Sequence, residues 1–237
     1  MLKMLGLAVA SFGALVYAGY HTMAPRSQVY GRTFTGTGAG QRHMALTFDD
    51  GPNDPYTLQL IEVLSRYNVK ATFFLIGKYV DLRPDIVRDL IAAGHVVANH
   101  TYTHPNLIFK SQSQFRDELS RCERALDDAV GLNHAPLFRP PFGGRRPAVF
   151  RTLQRTGLKP IMWSVTGYDW NAKSADAIEN KVTRQVRGGD VILLHDGSHL
   201  AFGTDRSHTV KATEDLIARY QGEGYQFRTI PEMMAGT

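Results

Sequence analysis

From residue 42 to the end of the chain, short runs of β-type apolar residues alternate with amphipathic stretches of helical period, and this alternation limits the fold more than any other feature. The β-like runs are residues 43–48, 71–76, 95–99, 137–139, 160–164, 191–194 and 226–230. Strands joined by helical crossovers pair in parallel, because each connection carries the chain back to the same end of the sheet. About seven such strand-helix units in roughly 195 residues suit an α/β architecture, either an irregular (β/α) barrel or an open doubly wound sheet. In both, ligands collect at the carboxyl ends of the strands. Helix punctuation agrees: Ser111 and Gln114 form a capping box, and Gly94, Gly131, Gly157 and Gly222 stand just past helix ends.

A chain of 237 residues with 43% hydrophobic content is sized for one such domain. Residues 1–22 are set apart, because 4–20 are almost wholly apolar after a lone Lys3, the pattern of a signal peptide or membrane anchor. The poor cleavage site at 16–18 favours an uncleaved anchor. In either case the domain is expected to be exported, held at the membrane facing the cell envelope or secreted after cleavage. Residues 23–41, rich in Gly, Thr and Ser, read as a linker, and 42–237 as the catalytic domain.

The single cysteine, Cys122, excludes an intrachain disulfide framework and Cys-based metal or redox sites. It shares a helical stripe with Phe115, Leu119 and Leu126, which makes it a buried, inert thiol. The formal charge of +5 is spread along the chain with no nucleic-acid-binding signature, so no nucleic-acid partner is expected. A monomer is the expected state.

Polar residues fall at the ends of successive strands. Asp49 and Asp50 end the first, His100 the third, Arg139 the fourth; Asp169 follows the fifth and His195 ends the sixth. Turn chemistry explains Asp-Asp-Gly-Pro alone. It does not explain why a metal-ligand set and an acid-base pair share one rim. His100 and His104 are four residues apart, and one helical turn would aim both at a single point beside the upstream aspartates. Asp50, His100 and His104 then form a carboxylate-imidazole set for a divalent cation, Zn²⁺ first, with Co²⁺, Ni²⁺ or Mn²⁺ as alternatives. Asp49 stands beside them as a base. The residues describe a metal-dependent hydrolase.

Five motifs occur in order: Thr47-Phe48-Asp49-Asp50-Gly51-Pro52, His100-Thr101-Tyr102-Thr103-His104, Arg139-Pro140-Pro141-Phe142-Gly143, Asp169-Trp170, and Leu193-Leu194-His195-Asp196. In these the chain resembles the polysaccharide deacetylases of the NodB-homology type, carbohydrate esterase family 4. The resemblance implies a distorted (β/α) barrel and hydrolysis of acetyl groups on glycans. It implies Asp49 as general base, Asp50, His100 and His104 as metal ligands, and His195 as general acid. It pairs Arg139 with Asp49 and Asp169 with His195. Substrate contacts would come from Pro141, Phe142, Gly143, Trp170 and Leu193, with the Phe142 N–H as oxyanion donor. Thr166 departs from the pattern, standing where many relatives have an aspartate. The substrates implied are N-acetylglucosamine glycans, peptidoglycan or chitin-like. Alternatives are an O-acetyl esterase on xylan, a catalytically silent glycan-binding protein, and a related amidase acting on small cyclic amides. Retention of both Asp49 and His195 speaks against the silent form, and the export segment against the amidase. Arg139 is expected to depress the pKa of Asp49.

Overall fold

The computed structural model describes residues 2–236, with side chains from residue 13 onward. Eight parallel strands form one sheet: β1 (His43–Gly51), β2 (Thr72–Leu75), β3 (Val96–Asn99), β4 (Leu137–Phe138), β5 (Lys159–Pro160), β6 (Val165–Thr166), β7 (Asp190–His195) and β8 (Gln226–Phe227). Their order is β5-β4-β3-β2-β1-β7-β6, with β8 added at the start of β1. The two edge strands, β5 and β6, are consecutive in the chain and joined by residues 161–164 alone. Seven flat strands would put those edges about 29 Å apart. A four-residue link cannot span more than about 18 Å. The sheet therefore curls into a distorted, incomplete barrel, as the sequence predicts.

The run at 160–164 is thus not one strand: β5 ends at Pro160, residues 161–164 form the link where the sheet's edges meet, and β6 begins at Val165. Residues 226–230 also divide: β8 stops at Phe227, and Thr229 caps a helix through a reciprocal pair with Glu232.

The period-two pattern of the strands sorts two cores. From β1, Met44, Leu46 and Phe48 point outward with Phe73 and Leu75 of β2 and Ile192 and Leu194 of β7. They pack under the outer helices α2 (Tyr56–Arg66), α3 (Gly77–Leu82), α4 (Pro84–Ala92), α5 (Gln112–Val130), α7 (Ala175–Gln185) and α8 (Ser207–Gly222), while α6 (Pro147–Thr156) packs with Phe115, Leu119 and Phe138 in a smaller separate cluster. Ala45, Phe74, Ala98, Leu137 and Val191 point inward, where Ile230 and Met233 of α9 (Ile230–Ala235) fill the barrel's lower end. The upper interior is left to Asp49, Leu193 and His195, on the same inward phase.

Helix ends follow the sequence with one exception. Gln114 N donates to Ser111 Oγ, Ser111 N donates to Gln114 Oε1, and Gly157 ends α6 in the left-handed region. Gly222 is the last residue of α8, and the positive φ of +81° belongs to Gly224. Cys122 is buried on α5 with Phe115, Leu119 and Leu126.

The expected anchor or signal at residues 1–22 depends on residue 1 and on the side chains of 2–12, which lie outside the described residues; the backbone there forms α1 (Leu2–Met23) before the barrel. Among the described residues no helix is long and apolar enough to cross a membrane. Residues 23–41 lie along the domain. Buried Arg145 donates to the carbonyls of Ala24, Pro25 and Ser27, Phe34 bridges Ile161, and Gly36 bridges Asp190.

Phe73 is fully buried between Phe48, at a ring separation of 4.9 Å, and His95, at 5.5 Å. Phe73→Ala is expected to cost about 3–5 kcal/mol of stability, read as a lowered denaturation midpoint with an unchanged slope.

Candidate active site

Successive strand residues face opposite sides of a sheet, so Asp49 and Asp50 could not share a site on a regular β1. The pairing of β1 with β2 is irregular between Asp49 and Gly51, and Asp50 has a left-handed φ of +74°. This bulge brings both carboxylates to one cleft. Two close backbone approaches accompany it. A Cβ on Gly51 would lie 2.0 Å from Asp196 Oδ2, and one on Gly197 2.1 Å from the Asp50 carbonyl, so only glycine fits either place.

His100 and His104 meet Asp50 by a different route from the one predicted. No helical turn joins them: Thr101 and His104 have φ of +67° and +58° in a tight loop after β3. Asn99 Oδ1 accepts from Thr101 N at 2.8 Å, and Thr101 Oγ1 accepts from His104 N at 3.1 Å. The Glu118 carboxylate accepts from Tyr102 N at 3.0 Å, Thr103 N at 2.7 Å and Thr103 Oγ1 at 2.7 Å. These local bonds outweigh the helical pattern. Asn99 and Glu118 build the ligand loop, although nothing in their sequence positions singles them out.

Asp50 Oδ1 lies 3.5 Å from His100 Nε2 and 3.3 Å from His104 Nε2, and one ligand atom from each residue falls within 4.8 Å of the others. The site fits a divalent cation by the state of its atoms. Asp50 Oδ1 is buried without a hydrogen-bond partner among the described residues, a cost that a cation would remove. His100 Nδ1 donates to the Arg139 carbonyl at 2.7 Å, which leaves the Nε2 lone pair free for a metal. Burial holds His100 at a pKa of about 4 and His104 at about 3, so both rings are neutral. Burial would raise Asp50, but the facing His199, His104, His195 and His100 carry its carboxyl far below the usual range.

Asp49 and His195 are register partners on β1 and β7, which places them side by side. Arg139, wholly buried, donates through one nitrogen to Asp49 Oδ1 at 2.7 Å and to Thr47 Oγ1 at 2.8 Å. Its guanidinium lies 4.1 Å from the Phe74 ring centre. Arg139 pulls Asp49 downward as expected, but burial outweighs it. Burial pushes its carboxyl up, and the opposing pull of Arg139 and His195 only moderates the rise. That direction moves the group toward the range in which a base is effective.

Asp169 holds His195 by two bonds: His195 N donates to Oδ2 at 2.7 Å and Nδ1 to Oδ1 at 2.8 Å. Thr209 adds a hydroxyl bond to Oδ2 at 2.9 Å. Burial alone would lower His195, yet the facing carboxylates, Asp169 foremost, lift it to about 9, while Asp169 itself is lowered. Thr166 closes the turn before Asp169: its hydroxyl accepts from Tyr168 N, and its carbonyl accepts from Gln185 Nε2 at 2.8 Å.

Asp49, Asp50, His100, His104 and His195 line a cleft of about 410 Å³, with Arg139 and Asp169 buried behind it. Of the residues expected to contact substrate, Phe142, Gly143, Trp170 and Leu193 line it; Pro141 is buried and does not line it, whereas Pro140 does. Trp163, His199, Leu200 and Arg206 also line the cleft and carried no sequence signal. Phe142 sits at φ +57°, its ring 4.6 Å from that of His104.

A polysaccharide deacetylase model matches residues 37–161. The chain belongs to the polysaccharide deacetylase family. With its Asp-His-His cluster in place, it is a metal-dependent hydrolase of that family. The deacetylase is 38% identical over 209 residues to a chitooligosaccharide deacetylase of Sinorhizobium fredii, covering 86% of this chain and 97% of that protein. It is 34% identical to a peptidoglycan-N-acetylglucosamine deacetylase of Bacillus cereus, covering 82% and 89%. Among solved structures it superposes, with a TM-score of 0.77 and 33% identity, on a peptidoglycan N-acetylglucosamine deacetylase in complex with 4-naphthalen-1-yl-N-oxidanyl-benzamide. That match covers 85% of this chain and 91% of the other.

Glu118→Ala removes three of the bonds that hold the loop carrying His104. It is expected to weaken metal binding by about tenfold or more, measured by competition with a chelator.

Proposed function

We propose that the enzyme removes N-acetyl groups from N-acetylglucosamine-containing glycans, releasing acetate and leaving a free sugar amine. One observation carries this reading: a buried Asp50-His100-His104 cluster lies in the same cleft as an arginine-paired aspartate and an aspartate-paired histidine that are register partners on adjacent strands. Asp50, His100 and His104 would hold the metal, and zinc best suits two imidazoles and a carboxylate. When bound, the ion supplies Lewis acidity toward water and the acetyl carbonyl.

The chain's own residues do the rest. Asp49 takes a proton from the attacking water while Arg139 fixes its orientation. The Phe142 N–H donates to the oxyanion that develops on the acetyl carbon's oxygen, a contribution typically worth about a hundredfold or more in rate. His195, kept protonated by Asp169, gives its proton to the sugar nitrogen as the carbon–nitrogen bond breaks, because an unprotonated amide nitrogen is a very poor leaving group. Acid and base roles separate because the two environments push the groups differently.

The shape of the cleft supports a glycan. Phe142 and Trp170 stand half-exposed at its mouth, with half-exposed Tyr168 beside Trp170, offering flat faces to sugar rings. A second depression lined by Tyr168, Trp170 and Lys173 continues past Trp170, room for more than one sugar. The similarity to chitooligosaccharide and peptidoglycan deacetylases supports the same substrate class. Such substrates and the apolar stretch at residues 4–20 support export to the envelope, with 1–22 as anchor or signal, 23–41 as the connecting segment and 42–237 as the catalytic domain.

Acetate release from N-acetylglucosamine oligomers and peptidoglycan, lost on chelation and restored by zinc, is the expected result; release from acetylated xylan alone would overturn the substrate. Asp49→Asn is expected to abolish turnover with metal still bound. His195→Ala should impair amide substrates more than activated esters. A raised pKa keeps the acid protonated up to about 9, so the rate should fall above that pH. Asp169→Asn removes the main raising influence and should move this alkaline limb to lower pH.

A further inference from the structure

The two histidines of the cluster are held in different ways. His100 is oriented by a hydrogen bond to the Arg139 carbonyl, whereas buried Nδ1 of His104 has no hydrogen-bond partner among the described residues. Metal-binding imidazoles ordinarily use that second nitrogen to fix the ring. His104 has ring packing instead. His199 lies over it with centroids 4.5 Å apart and planes 23° from parallel, and Phe142 meets both rings edge-on, at 4.6 Å from His104 and 5.1 Å from His199.

The same residue also reaches the carboxylate of the cluster. His199 N donates to Asp50 Oδ2 at 3.2 Å, and its ring Nδ1 stands 3.7 Å from that oxygen. Oδ2 is thereby engaged on the His199 side, and Oδ1 is left facing the two imidazoles.

The loop that presents His199 is pinned at several points. Asn53 Nδ2 donates to the carbonyls of Asp196 and Thr204, both at 2.9 Å, and Asn53 Oδ1 accepts from Gly203 N at 2.7 Å. Tyr79 donates its hydroxyl to the Ser198 carbonyl at 3.0 Å.

We propose that His199 is a positioning residue of the metal centre. Its ring holds the otherwise unbonded His104 imidazole in place, and its nitrogen side turns Asp50 so that one oxygen stays available to the cation. The inference rests on the reading that Asp50, His100 and His104 bind the metal, and it is independent of the glycan.

The test uses the full chain, with Zn²⁺ affinity measured by chelator competition and the visible absorption band of the Co²⁺-loaded protein as a spectroscopic reporter. The main-chain N–H to Asp50 survives any substitution, so variants isolate the side chain. His199→Ala is expected to bind zinc about 10–100-fold more weakly and to shift or weaken the Co²⁺ band. His199→Phe, which keeps a stacking ring, should recover part of that loss. Zinc affinity in His199→Ala within twofold of the parent, with an unchanged Co²⁺ band, would overturn the proposal. Equal weakness of the Ala and Phe variants would overturn the stacking half and assign the effect to the Asp50 side. Should His199→Ala fail to fold, His199→Phe and His199→Gln carry the same comparison. A parent protein that binds no metal would instead overturn the metal-centre reading itself.

Discussion

A strand offers a site only every second side chain, and the chemistry here depends on breaking that rule once. The left-handed Asp50 and the bulge around it let two adjacent carboxylates serve one cleft in different roles, one beside the imidazoles and one beside the guanidinium. A non-glycine residue in that region costs about 1–2 kcal/mol. Among the described residues six non-glycine positions have positive φ. Four of them, Asp50, Thr101, His104 and Phe142, lie in the cleft or its ligand loop, and Tyr168 precedes Asp169. The strain is concentrated where side chains must be aimed, and the two apolar cores hold it in place.

Charge is arranged as tightly as the backbone. Asp49, Asp50 and Asp169 are buried carboxylates, fully buried Arg139 and partly buried His195 face them, and Asp50 Oδ1 is left without a hydrogen-bond partner among the described residues. Buried charges persist only when paired or when they meet a metal. Arg139 ties two parts of the cleft together, since its guanidinium holds Asp49 and its carbonyl accepts from His100. A side-chain substitution here would take the guanidinium from Asp49 and leave the carbonyl on His100 in place.

Much of this was legible in the sequence because its causes are local or periodic. Strand-helix alternation predicts a parallel sheet, and residues at successive strand ends share a rim whatever the loop details. The meeting of Asp49, Asp50, His100, His104 and His195 in one cleft could be read that way. The path from His100 to His104 could not, because hydrogen bonds from Asn99 and from distant Glu118 override the helical spacing. The direction of the Asp49 shift could not be read either, since burial is a property of the surrounding packing and exceeds the visible effect of Arg139.

The sequence by itself determined the parallel α/β architecture, the polar rim and its ligand types, because strand period and residue chemistry act within a few positions of the chain. Only the tertiary structure decided that the sheet curls far enough for a four-residue link to join its edges, that Asp50 turns against its neighbour's direction, and that Glu118, Thr209 and His199 brace the site. Those features arise where segments far apart in the chain exclude water from one another, and no single segment contains the information.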